Sequence, residues 1–419
     1  MSWIKSIPTS HLLLVVCSVA TILALLTVTP GIQPDTATYL AFDPQRGVIY
    51  PLLLDLFRHA APADSFLNWV ARFQGACIAT TAAFFALRIG HILNLDRAWR
   101  YFLFLLISLP GLFFAGNILT EPLLYAGVSL FWVCFLEYYL APGIWRALSL
   151  AFFCALLVIF RPQLLPLAVF FGMIELWQFA RRQQLIHVGT LVFLLVSLVA
   201  ANTVQNHILV RLTGSSHIAS TLGRHVLTNM LYVAHPEDAA MFSDSGQRTL
   251  FQKALQLAEE KGYTQRKWDK TASHIPMSIN RIYTEAVVPL CSELARVSEG
   301  GEDSADGLAL KMGLTLLNKR TPEYLNLLFR KVYDSQPLFY SLIAVLLALG
   351  LIHSNRTNTW QGRFMGLVVF GTAMGILPYL LLVTLDNRYV FPLEYPLLAW
   401  VAALGASLQR QEKLDNTAR

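Results

Sequence analysis

Long apolar stretches broken by short polar connections dominate this chain. A bilayer core takes about 20 apolar residues per helix, and runs of about that length fall near 11–30, 66–90, 101–118, 122–140, 147–160, 163–180, 185–204, 336–353, 364–385 and 390–408. Each predicts a membrane-spanning helix, about ten in all. The first follows Lys5 and has no small-residue cleavage site, so it reads as a retained span rather than a removed leader. The segment GVIYPLLLDLFRH, residues 47–59, is apolar but too short to span, and predicts a helix lying at the membrane surface.

Between 205 and 335 the pattern changes. Charges become frequent, and TLFQKALQLAEEKGY and ADGLALKMGLTLLNKRTPEYLNLLFRKVY carry apolar residues at helical spacing, with VSEGGEDSADG as a joint. The expected organisation is an all-α polytopic membrane protein. It has a first membrane module of about seven helices over 1–204, a mainly helical external domain over 205–335, and a second module of about three helices over 336–419.

Basic residues orient these spans. With Lys5 inside, Arg88, Arg97, Arg100, Arg146, Arg181, Arg182, Arg356, Arg363, Arg410 and Lys413 all fall on the side of the amino terminus, as the preference for lysine and arginine in inner loops requires. Both termini are expected in the cytoplasm and the 205–335 domain outside. Composition agrees: 55% of residues are hydrophobic and only 14% charged, where soluble chains carry roughly 25%. The net charge of +6 sits in short loops rather than one stripe, so nucleic acid is not an expected partner. Cys17, Cys77, Cys134, Cys154 and Cys291 are scattered singly, which supports neither a zinc site nor a disulfide framework.

This orientation collects a second set of ionisable residues on the outer side: Asp35, Asp43 and Arg46 after the first span, Glu121 between the third and fourth, Arg161 between the fifth and sixth, and Asp386 with Arg388 between the last two. Ionisable groups at membrane depth are costly and mark functional sites by default. Plainer roles exist for each. Asp35 can cap a helix. Glu121-Pro122 can start one, with the acid at its positive end. Arg161 can reach for the interface, and Asp386 and Arg388 can pair with each other. Tyr50, Trp69 and Tyr389 fit a belt of interfacial aromatics. The histidines His217, His225, His235 and His274 lack metal-ligand spacing.

Several of these segments share a resemblance. PDTATYL followed by RGVIYPLLLDLF, then LTEPLLYAG, FRPQLLPLAV and DNRYVFPLEYPLLA, resemble in order the first external loop, acidic turn, basic-Pro turn and closing Arg-Tyr-x-x-Pro segment of GT-C glycosyltransferases. These enzymes use polyprenyl-phosphate sugars, as dolichyl-phosphate-mannose protein mannosyltransferases and aminoarabinose transferases do. The resemblance covers most of the membrane region and omits the long loop. It implies a bacterial inner-membrane enzyme that moves a sugar from a polyprenyl-phosphate donor to a lipid, glycan or protein acceptor on the outer face, with inversion. Asp35 would be the general base and Glu121 a catalytic partner. Arg161, Arg388 and Arg46 would hold phosphate, and Tyr39 and Tyr389 would line the substrate. Many relatives have two adjacent acids where this chain has Asp35-Thr36. No cofactor is therefore fixed, and a divalent metal between Asp35 and Glu121 stays an open alternative. Two other functions also stay open: a secondary transporter or lipid flippase, and a polysaccharide polymerase or ligase, for which Arg211, Arg224 and His225 would be the key basic residues.

Overall fold

The computed structural model describes residues 28–43, 47–214, 221–267, 275–297, 301–335, 360–382 and 396–407, with a few isolated positions besides. Most of the first apolar run, the run near 336–353, Arg46, Asp386, Arg388 and Tyr389 lie outside the described residues. Among the described residues there is helix and no strand; the nearest to sheet is a single parallel bridge between Gly31 and Asn117.

Contacts divide the chain into two compact units. The first holds Met1–His217, Ile343–Gly375 and Phe391–Arg419, and the second Ile218–Leu342 with Ile376–Val390. In the first unit, α1 (Pro34–Leu40) and α2 (Ile49–Ala60) precede a run of hairpins: α3 (Phe66–Ile92), α4 (Arg97–Ala115), α5 (Glu121–Leu140), α6 (Ile144–Phe160), α7 (Leu165–Arg182) and α8 (Leu185–Thr213). The spans Phe66–Ile92, Arg97–Ala115, Glu121–Leu140, Pro162–Arg181 and Leu185–Thr213 are each long and apolar enough to cross a bilayer. Short connections between them force antiparallel neighbours. The starts of α5 and α7 and the end of α8 therefore share one end of the bundle, and the Arg88, Arg97, Arg146 and Arg181 positions share the other.

Local chemistry sets the boundaries. Asp96 caps α4 by accepting from the Trp99 amide at 3.0 Å. Glu121 and Pro122 open α5, where a missing N–H costs nothing and an acid meets the helix's positive end. Pro110 interrupts the α4 ladder, and the Tyr125 hydroxyl donates to the Ile107 carbonyl at 2.5 Å just before it.

Small residues then bring helices together. A Cβ on Gly111 would stand 2.5 Å from Ile78 and 2.8 Å from Tyr125. Aromatic rings fill the wider gaps: Trp132 and Phe135 of α5 pack on Phe170 and Phe171 of α7, Phe135 meets Phe364 of α15 (Trp360–Leu382), and Phe364 meets Trp400 of α16 (Pro396–Ser407).

The second unit is also helical: α9 (Leu222–Val233), α10 (Ser245–Glu260), α11 (Ile275–Ile282), α12 (Val288–Val297), α13 (Gly301–Lys319) and α14 (Thr321–Ser335). Its core gathers Leu231, Phe251, Ile279, Ile282, Ala309, Met312 and Leu316. Asp306 of α13 accepts from the Gly223 and Arg224 amides at 3.0 and 2.9 Å, so it caps α9 from a distant part of the chain. The unit begins later than hydropathy suggests. α8 continues nine residues past 204, through the more polar NTVQNHILVRLT, because helix continuity needs no hydrophobicity.

Candidate functional site

Five segments converge at the end of the bundle where α5 and α7 start. The stretch before α1 is pinned to the α4–α5 connection by backbone: Gly31 N–H donates to Gly116 O at 2.8 Å, and Ile118 N–H to Gly31 O at 3.1 Å. Side chains double this clamp. The Gln33 amide nitrogen donates to Asn117 Oδ1 at 2.9 Å, and the Thr36 hydroxyl donates to the Ile118 carbonyl at 3.0 Å while accepting from Gln33 N–H at 2.9 Å. Asp35, half-buried in the first turn of α1, is thereby tied to the segment that ends in Glu121.

Gln74 of α3 locks the connection from beneath. Fully buried, it accepts from the Tyr50 hydroxyl at 2.7 Å and donates to the Ala115 and Asn117 carbonyls at 2.9 and 2.8 Å. Tyr50 is thus not a belt aromatic as the sequence suggested. Only 1% exposed, it packs edge-on against Tyr39, with ring centroids 5.0 Å apart, in a core with Leu54, Val70, Ala71, Ile118 and Leu119. Its hydroxyl feels both Tyr39 and Glu121 electrostatically. Trp69 is 45% exposed, with Arg72 over its ring.

Glu121 and Arg161 meet. Arg161 Nη1 lies 3.1 Å from Glu121 Oε1, with side chains 11% and 2% exposed. Thr120 donates to the other carboxylate oxygen at 3.3 Å. A buried carboxylate needs a cation or hydrogen bonds around it, and here it has both. Arg161 follows α6 with extended backbone, which turns the chain into the 3-10 segment Pro162–Leu164 and sets its side chain at the helix ends.

Gly47 sits against this turn. A Cβ there would come within 3.0 Å of the Ile159 carbonyl and 3.5 Å of Gln205 Oε1. Gln205 of α8 is 4% exposed and its Oε1 has no hydrogen-bond partner among the described residues, unlike the saturated amide of Gln74.

The structure therefore joins Glu121 to Arg161, and their neighbourhood to the segments bearing Asp35 and Tyr39. Arg46, Arg388 and Tyr389 fall outside the described residues, so their distances to this cluster are not part of it. Among the described residues no three His, Cys, Asp or Glu side chains form a metal-ligand group. Of the basic residues suspected for a polymerase or ligase, Arg224 is 1% exposed inside the second unit, His225 stacks on Tyr283 at 4.5 Å, and Arg211 is exposed in the last turn of α8. Sequence reasoning missed Gln74, because one amide in an apolar run leaves the hydropathy pattern intact, and Gln205, because it lies past 204 in the more polar end of α8. No family model, curated protein or solved structure matches this chain.

Proposed function

We propose that this membrane protein is an inverting glycosyltransferase that takes its sugar from a polyprenyl phosphate, working at the outer face of a bacterial inner membrane with both termini cytoplasmic. The observation that supports this reading most is the buried Glu121–Arg161 pair at one end of the bundle, clamped by Thr36 and Gln33 to the loop that bears Asp35.

The chemistry asked of these groups is modest. An acceptor hydroxyl attacks the anomeric carbon as Asp35 takes its proton. The new glycosidic bond forms opposite the breaking carbon–oxygen bond, whose electron pair leaves on the lipid phosphate. Arg161 stabilises that charge, since a guanidinium fork matches phosphate oxygens and electrostatic stabilisation is commonly the largest catalytic contribution. Glu121 holds Arg161 in place. Arg388 and Arg46 are further phosphate ligands in this reading, with Tyr39 and Tyr389 lining the substrate. The acceptor is a lipid, glycan or protein.

The test is to incubate purified protein with a panel of polyprenyl-phosphate sugars and measure released lipid phosphate. Release that is abolished in Asp35→Asn and Arg161→Ala supports the reading. Full activity in Asp35→Asn removes the base. Accumulation of solute in proteoliposomes with no new glycosidic bond replaces the enzyme with a transporter.

A further inference from the structure

A second cluster of ionisable side chains lies at the opposite end of the helices, unused by the chemistry above. Tyr138 stands near the end of α5, Glu175 in the second half of α7 and His187 in the first turn of α8. The three are 3%, 0% and 1% exposed. All converge on one oxygen. The Tyr138 hydroxyl donates to Glu175 Oε2 at 2.7 Å, and His187 Nδ1 lies 3.0 Å from the same atom and 3.3 Å from the phenol.

Two atoms of the cluster have no hydrogen-bond partner among the described residues: Glu175 Oε1 and His187 Nε2, both buried. Buried polar atoms without a hydrogen bond are rare and each calls for a reason. In lipid the reason must be stronger, because neither water nor exposed backbone is at hand.

Proton counting supplies one. Nδ1 faces a carboxylate, so it carries the ring proton and donates, and Nε2 is left with its lone pair. Glu175 Oε2 accepts twice and Oε1 not at all. Both unpartnered atoms are therefore bases, and the cluster as drawn carries one net negative charge. One added proton, on Oε1, brings it to neutrality without breaking any of the three contacts.

Neighbouring charges do not take that place. On α5, Glu137 is already paired with Arg88 of α3, and the Tyr139 ring lies against Phe364. Arg146 of α6 donates to the Ala141 carbonyl at 2.6 Å. Arg181 of α7 lies over the Trp177 ring at 5.0 Å, and Arg363 of α15 is exposed.

We propose that Tyr138, Glu175 and His187 form an internal proton-binding site that holds one exchangeable proton among three spanning helices. It lies on the same α5 helix as Glu121, 17 positions along, which at helical rise is about 25 Å away. The site does not depend on the glycosyltransferase reading.

Infrared spectroscopy of the full chain in lipid vesicles tests it, scanned from about pH 4 to pH 10, the span of ordinary glutamate, histidine and tyrosine titration. The expected result is a protonated-carboxyl stretch that changes with pH in the wild type and is absent from Glu175→Gln. Tyr138→Phe, which removes one donor to Oε2 and keeps the acid, should shift the midpoint of the same band. A wild type whose buried carboxyl band does not respond to pH overturns the site, with no variant needed. A band that persists in Glu175→Gln, or that Tyr138→Phe leaves unmoved, assigns the proton elsewhere and overturns it too.

Discussion

Arg161 and Glu121 form a buried ion pair, 3.1 Å apart, between the turn that ends one hydrophobic hairpin and the first residue of another helix. Burying two charges costs several kcal/mol each, which attraction repays only where geometry is good. The pair is thus a poor device for stability alone. It holds a guanidinium at one end of the bundle, where no apolar substitute could bind an anion.

This asymmetry gives the first prediction. Glu121→Leu removes the carboxylate that faces the buried Arg161 guanidinium and should destabilise the first unit by about 3–5 kcal/mol. The double variant Glu121→Leu, Arg161→Leu should recover much of that loss and still release no lipid phosphate. Unfolding of the three proteins in mild detergent measures it. A double variant less stable than either single change would rule out the pair as described.

Thr36 gives the second. A carboxylate at this position could not donate to the Ile118 carbonyl as the threonine hydroxyl does. Thr36→Asp would set two acceptors face to face, and Thr36→Val would leave both the Gln33 amide and the Ile118 carbonyl short of a partner. A buried polar group so stranded costs about 1–3 kcal/mol. Both variants should raise hydrogen exchange in residues 31–40 and 116–120 and lower turnover, while Thr36→Ser should behave as wild type. Unchanged exchange in Thr36→Asp would show that the clamp does not need this hydroxyl.

Most of the bundle was legible in the sequence, because a span must be apolar for about 20 residues and polar where it ends. That one constraint sets α3 to α8 and, by hairpin parity, puts Glu121 and Arg161 at the same end. What it hides are single polar residues within spans. Gln74 sits in an otherwise apolar run, and its partners, Tyr50, Ala115 and Asn117, lie on other segments. Glu175 and His187 straddle a turn next to Arg181 and Arg182, where charge is expected anyway. Only the fold brings Tyr138 to them. Tyr50 was misread for a related reason: a tyrosine in a short amphipathic helix looks interfacial until α3 covers it.

Asp238 supplies a prediction in the second unit. Burial works against its ionised form, but Arg320, the His235 amide and Lys319 together hold its carboxyl below the usual range. A depressed native value means that the stabilisation is complete above the ordinary aspartate value of about 4 and fades as pH falls through the native one. Protection of the second unit from hydrogen exchange, corrected for intrinsic rates, should therefore drop below about pH 4. In Asp238→Asn the drop should shrink and neutral-pH protection should fall. Identical acid profiles for the two proteins would refute the assignment.

Lys331 should respond to pH in the opposite range. It is fully buried in α14, where its ammonium donates to Asn229 Oδ1, and burial pulls its value down to about 7. An unfolded chain keeps an ordinary lysine, near 10.4. Between these values the unfolded state binds more protons, so the second unit should gain stability as pH rises from about 7 to about 10 and show no lysine-dependent slope below 7. Lys331→Gln keeps an N–H donor for Asn229 but has no proton to release. The difference in stability between wild type and this variant should narrow or reverse in favour of wild type across that window, read from urea midpoints followed by exchange in α9 and α14. Equal slopes would mean that the ammonium stays charged in the native interior.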